Sequence, residues 1–187
     1  TIFEAEVAST FNEELVFQYL LKTSTDKETK TYLLSNRAAD ILATLYRQTM
    51  FAEFEKITHE MVENGEPLTT DILRSVYKNL LVEYFGPEMV FENESDLEAL
   101  RIPHFYNAFY VYKYATGISA ALALAQKVLN GGEDEKNAYF SFLKSGGSRY
   151  PIDSLKLAGV DMEKTEPIEK AIQQFEKIIH ELEQILE

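Results

Sequence analysis

Ile102-Pro-His-Phe-Tyr-Asn-Ala-Phe-Tyr-Val-Tyr-Lys-Tyr-Ala-Thr-Gly117 carries one histidine and four of the chain's eleven tyrosines, and it runs directly into an apolar stretch from Ile118 to Leu129. Proline suits the first turn of a helix, where its missing N–H costs nothing, so the spacing predicts a long helix that begins at Pro103. At about 100° per residue, Tyr106, Tyr110 and Tyr114 then share one stripe with His104 at its N-terminal end, while Tyr112 points elsewhere. A buried tyrosine hydroxyl needs a partner, so three on one face beside a histidine describe a polar, hydrogen-bonding wall. Aromatic core packing with hydroxyls reaching the surface is the competing account of the same stripe.

Upstream, Phe3, Val7, Phe11 and Leu15 recur every four residues from Thr1 to Lys22, with Glu6, Ser9, Thr10 and Glu13 as a polar stripe beside them. Glu6 and Glu13 lie on the same side of that helix, with two hydroxyls between them able to bond to either carboxylate. Simple solvent exposure also explains such a stripe. Thr25 and Glu28 fit a capping box, and a second helix, the longest element, is expected from there to Asn64-Gly65. Thr69 or Thr70 caps a helix that stops at Gly86-Pro87, followed by an acidic loop, Glu88 to Arg101, with a little helix.

Downstream, Asn130-Gly131-Gly132 closes the tyrosine-bearing helix, and a brief helix from Asp134 runs into Ser145-Gly146-Gly147-Ser148. A short helix from Pro151 ends at Gly159. The last helix carries Ile168, Ile172, Phe175, Ile179, Leu182 and Leu186 as one seam. No segment alternates with period two, so the expected fold is all-α, a multi-helix array taken as a single domain over residues 1–187.

With 187 residues and 45% hydrophobic content the chain can bury a substantial core. Its 18 basic against 31 acidic residues give a formal charge of −13, the wrong sign for phosphate-driven nucleic-acid binding or for acidic membranes. There is no cysteine, hence no disulfide, thiolate metal site or cysteine nucleophile, and a cytoplasmic location is expected. No run reaches the roughly 18 apolar residues of a membrane span. The chain opens on Thr1-Ile2-Phe3-Glu4, already inside an amphipathic pattern, as a piece of a longer protein would.

The three histidines, His59, His104 and His180, are too far apart for a local metal pair. His59-Glu60-Met61-Val62-Glu63 begins like His-Glu-x-x-His but has Glu where the second ligand should be, and it reads as a solvated helix end. His180, beside Glu181 and Glu183, reads as a surface residue. A complete catalytic site is therefore not expected within these residues.

Three stretches together resemble the oligoendopeptidase F group of the thimet oligopeptidase-like zinc metallopeptidases. They are Glu4-Ala-Glu-Val-Ala-Ser-Thr-Phe-Asn-Glu13, Arg101-Ile-Pro-His-Phe-Tyr through Tyr114-Ala-Thr-Gly117, and Ser145-Gly-Gly-Ser-Arg-Tyr-Pro151 with Leu157-Ala-Gly-Val-Asp-Met162. The resemblance implies a C-terminal lobe of a larger helical metallopeptidase, with the His-Glu-x-x-His helix lying upstream of Thr1. It implies that Glu6 is the third zinc ligand and that Glu13 orients a ligand from behind. It implies that His104 and the Tyr106 to Tyr114 stripe bind substrate and donate hydrogen bonds to the oxyanion, with Tyr114 as one donor and Tyr106 or Tyr110 as the second. The Gly146-Gly147 loop resembles a loop near the cleft in that family.

The expected activity is zinc-dependent endopeptidase cleavage of oligopeptides in the complete protein, with the 187 residues inactive alone. The expected partners are oligopeptide substrates, the missing N-terminal part and, through an exposed apolar face, further copies of the chain. The alternative is a non-enzymatic acidic helical module that binds a partner helix or self-associates.

Overall fold

The computed structural model describes residues 2–187, with side chains from Glu4 onward, so the proposed role of Phe3 in the first apolar stripe lies outside the described side chains. Eight α-helices account for most of it, and among the described residues there is no strand, as the absence of period-two alternation requires. Among the described residues no helix is long and apolar enough to cross a membrane. The helices are α1 (Ile2–Thr23), α2 (Lys27–Ile41), α3 (Arg47–Glu63), α4 (Thr70–Phe85), α5 (Tyr112–Asn130), α6 (Glu133–Ser145), α7 (Pro151–Leu157) and α8 (Glu166–Leu186). Two compact units are distinguished, Thr1–Leu45 with Thr116–Glu187, and Tyr46–Ala115.

The first unit is built on α5. Ser119 through Ala125 is buried on every side, as a run with small or apolar residues at each position allows. Val7 and Phe11 of α1, Tyr139 and Phe142 of α6 and Leu155 of α7 pack with it in one core. Phe11 stacks on Tyr139 with ring centroids 3.8 Å apart, worth about 0.5–1.5 kcal/mol beyond the area buried. α2 packs against α1 and α8, and α6 against α7.

α8 corrects the sequence pattern. Its buried line is Pro167, Ala171, Gln174 and Ile178, one residue ahead of the Ile168–Leu186 seam, which is left half-buried or exposed. The displacement has a polar cause, because Gln174 turns inward to donate to the buried carboxylate of Glu14.

In the second unit α3 and α4 pair through Met50, Phe51, Phe54, Tyr77, Leu80 and Leu81. Thr69 caps α4 by accepting from the Ile72 N–H at 3.3 Å, and Gly86 ends it at φ +77°, a conformation open to glycine. The acidic stretch after Gly86 holds a 3-10 helix, Ser95–Arg101, tied down by Tyr77 donating to Glu98 at 2.6 Å, by an Arg47–Glu98 ion pair and by Arg74 on Asp96 at 3.0 Å.

Two boundaries differ from expectation. The N-cap of α2 is Asp26, which accepts from the Thr29 N–H at 2.7 Å, in place of Thr25. The long second helix is interrupted by a π-helical turn, Leu42–Tyr46, between α2 and α3.

Candidate active site

Glu6 and Glu13 both lie on the exposed side of α1, as their stripe predicts. The hydroxyl of Ser9 donates to the backbone carbonyl of Glu6 at 3.1 Å and not to either carboxylate. Across from Glu6 is the buried Gly117 of α5, where an added Cβ would meet the Glu6 Cβ at 4.0 Å. Glycine here keeps the α5 backbone bare beside the glutamate. Glu13 borders a shallow groove with Val16, Phe17, Leu20 and Arg37.

The stretch from Pro103 to Tyr114 is not one helix. Pro103–Tyr106 is a single 3-10 turn, residues 107–111 form a tight turn, and α5 begins only at Tyr112. Phe105 is the inward anchor of the 3-10 turn, with its ring 5.9 Å from Phe51 and 5.5 Å from Phe54. His104 and Tyr106 on either side of it consequently face outward, and Tyr106 is 91% exposed.

The tight turn folds the chain back so that three of the four predicted wall residues meet. The His104 ring stacks on Tyr110 at 5.7 Å and 15°, and meets the edge of Tyr114 at 6.0 Å. The Tyr114 hydroxyl donates to the Tyr110 hydroxyl at 3.3 Å. Lys113 lies over the Tyr110 ring at 5.2 Å. His104 is exposed and both tyrosines are half-buried, so the cluster offers an imidazole and two hydroxyls at the surface on an aromatic base. Tyr106 stays outside the group, and a three-tyrosine stripe on one helix is not formed. Tyr112 is exposed.

The remaining histidines stay apart. His180 is on the surface, 2.9 Å from Gln184. His59 is half-buried where a solvated helix end is expected: its Nδ1 is 2.7 Å from the Glu55 carbonyl, and its ring lies 4.7 Å from that of Phe109. The Gly146-Gly147 loop is exposed, with Gly146 at φ +49°.

Three buried charged residues escape the pattern reading. Glu14 is 1% exposed and accepts from Arg37 at 2.6 Å, from Gln18 at 2.7 Å and from Gln174. Arg37 also reaches Asp40 at 2.6 Å. Glu55 accepts the Phe109 N–H at 2.5 Å. The signal for all three was present, since each falls among buried apolar positions of its helix, where a solvated charge would not sit.

The family model described as Peptidase family M3 matches residues 1–174. The chain belongs to that family. Among curated M3-type relatives it is 50% identical over 186 residues to Oligopeptidase PepF of Bacillus subtilis, covering 100% of this chain and 28% of that protein. It is 47% identical over 187 residues to Oligoendopeptidase F homolog of Borreliella burgdorferi, covering 100% of this chain and 32% of the relative. The crystal structure of oligoendopeptidase-F from Enterococcus faecium superposes with a TM-score of 0.95 at 44% identity, covering 100% of this chain and 36% of that one. The chain thus spans about a third of the length of the relatives it matches. The resemblance to the oligoendopeptidase F group extends over the whole chain.

An M3 peptidase is expected to hold a metal, and Glu6 fits as one carboxylate ligand, being exposed beside the bare backbone of Gly117. Among the described residues no group of three His, Asp or Glu side chains can hold an ion, so these residues do not complete a ligand set.

Proposed function

We propose that the chain is part of a zinc metalloendopeptidase that hydrolyses peptide bonds in oligopeptides in the cytoplasm, and that it contributes two elements of the active site. The first is Glu6 as one metal ligand, with Glu13 orienting a ligand from behind and the other ligands coming from outside these 187 residues. Zinc held in part by Glu6 would supply the Lewis acidity that acidifies a water for attack on the peptide carbonyl. The described residues hold no complete ligand set, and no hydrolysis is expected from the 187 residues alone.

The second element carries the proposal: the convergence of His104, Tyr110 and Tyr114. As water adds to the scissile carbonyl, negative charge gathers on its oxygen. A hydroxyl already held in place donates to that oxygen without reorganising. Accepting from Tyr114 leaves the Tyr110 proton free for that oxygen, Tyr114 turns its own proton from Tyr110 to the oxyanion as the charge develops, and the stacked His104 offers a third hydrogen-bonding group to the peptide backbone. Tyr110, within hydrogen-bond distance of Tyr114, is a better second donor than the outlying Tyr106. Removing one such donor costs about 10²–10³ in kcat, roughly 2.7–4 kcal/mol.

The test is Tyr114→Phe and Glu6→Ala in the complete enzyme. Tyr114→Phe is expected to lower kcat by about 10²-fold with KM little changed, and Glu6→Ala to lower both bound zinc and turnover. Near-normal activity in both variants would refute the reading.

A further inference from the structure

The turn that brings His104 to Tyr110 rests on an unusual backbone conformation. Phe109, immediately before Tyr110, has φ +55° and is the only described non-glycine residue with positive φ. A bulky side chain is rarely found there, because its Cβ crowds the carbonyl, and such a residue persists only when its surroundings hold it. Two groups of α3 do so. The Glu55 side chain, 3% exposed, accepts the Phe109 N–H at 2.5 Å. The His59 ring, one turn along, lies 4.7 Å from the Phe109 ring and is itself held by the Glu55 carbonyl at 2.7 Å.

A buried carboxylate spent on one backbone N–H, 54 residues away, has a specific consequence. In a continuous helix, positions 104 and 110 lie about 9 Å apart along the axis, too far for their rings to stack face to face. Only the reversal at Phe109 lets the two rings stack at 5.7 Å.

We propose that Glu55 is a positioning residue for the peptidase reaction: through the Phe109 N–H it holds the left-handed turn that sets Tyr110 and His104 against Tyr114. The proposal rests on the donor roles assigned to Tyr110 and Tyr114. Glu55 is 3% exposed and bonded to the Phe109 N–H, so its removal acts on kcat through misplacement of the donors.

The experiment uses the complete zinc-loaded enzyme with an oligopeptide substrate and compares Glu55→Ala, Glu55→Gln, Glu55→Ala with Phe109→Gly, and Tyr114→Phe. Glu55→Ala is expected to lower kcat at least tenfold, and up to about 10²-fold, with KM within about twofold. Glu55→Gln, whose amide oxygen is a weaker acceptor, is expected to fall in between. Adding Phe109→Gly to Glu55→Ala is expected to recover part of the loss, because glycine adopts φ +55° without strain. With kcat expressed per folded, zinc-loaded enzyme, a general loss of stability would produce neither the loss nor the recovery.

If Tyr114→Phe lowers kcat while Glu55→Ala leaves it within twofold, the positioning role is wrong and the donor assignment stands. A normal kcat in Tyr114→Phe sinks the donor assignment and this inference with it. Loss of kcat in Glu55→Ala with no recovery from Phe109→Gly overturns the role of the turn. Should Glu55→Ala not fold, Glu55→Gln with and without Phe109→Gly carries the same comparison: a several-fold loss that glycine restores supports the proposal, and an unchanged kcat overturns it.

Discussion

Replacing Arg37 with methionine should expose how α1, α2 and α8 are held together. The Glu14 carboxylate is 1% exposed, and Arg37, at 6%, is the cation that reaches it, 2.6 Å from Oε2. Breaking a buried pair by removing one partner costs about 3–5 kcal/mol, since the other charge stays desolvated. Gln18 and Gln174 continue to donate to Oε1, which places the expected loss at the low end, about 3 kcal/mol. The Arg37 guanidinium also lies 5.8 Å from the centre of the Phe17 ring, a contact worth about 0.5–1 kcal/mol more, part of which the methionine sulfur can replace. Urea unfolding of the 187-residue chain, followed by far-UV circular dichroism, gives the change. A second variant, Arg37→Met with Glu14→Gln, removes both charges while the amide oxygen at position 14 still accepts from Gln18 and Gln174, and it should recover part of the loss. A loss below about 1 kcal/mol for Arg37→Met, or strict additivity in the double variant, would refute the claim that the two charges depend on each other.

Alkaline pH should unfold the protein through its buried phenols. Burial and the neighbouring carboxylates of Glu98 and Glu53 raise the pKa values of Tyr77 and Tyr84, and burial raises that of Tyr139. The folded state then holds these protons more tightly than the unfolded chain, whose tyrosines titrate near pH 10, so the stabilisation is present below about pH 10 and lost as pH rises above it. Phenolate absorbance should show a late group of tyrosines that ionises only together with loss of helicity; smooth titration of all eleven with helicity retained would contradict this. Phe11→Ala should cost about 3–5 kcal/mol, read from the shift in the urea midpoint, because the ring is fully buried and stacked on Tyr139.

Much of the helix order was legible because its punctuation is local. Thr69 before α4, Gly86 after it, Pro151 at the start of α7 and Gly159 just past its end act through the backbone of their own neighbourhood. The start of α5 was not legible for the opposite reason. Pro103 announces a helix, but the chain turns at Phe109 because of a carboxylate on α3, and no local rule contains that contact. The same turn explains the candidate site. His104, Tyr110 and Tyr114 could be named from residue type and order, yet their grouping depends on a reversal that a helical wheel cannot represent, and the wheel also placed Tyr106 with them. The face of α8 was misplaced by one residue because hydrophobic periodicity passes over Gln174, whose burial depends on Glu14.

Ser119 to Ala125 on α5 contains four alanines, one serine and two leucines, all buried. Alanine has no side-chain rotamers to lose, and it is the residue most at ease in a helix. The centre of this core is thus ordered at little entropic expense, while the larger rings and branched chains that surround it bear the cost of becoming fixed. The same economy leaves no slack. An added methyl group meets buried surroundings whichever rotamer it takes, so accommodation would fall to the neighbouring helices, and room for sequence change lies around α5 and not within it.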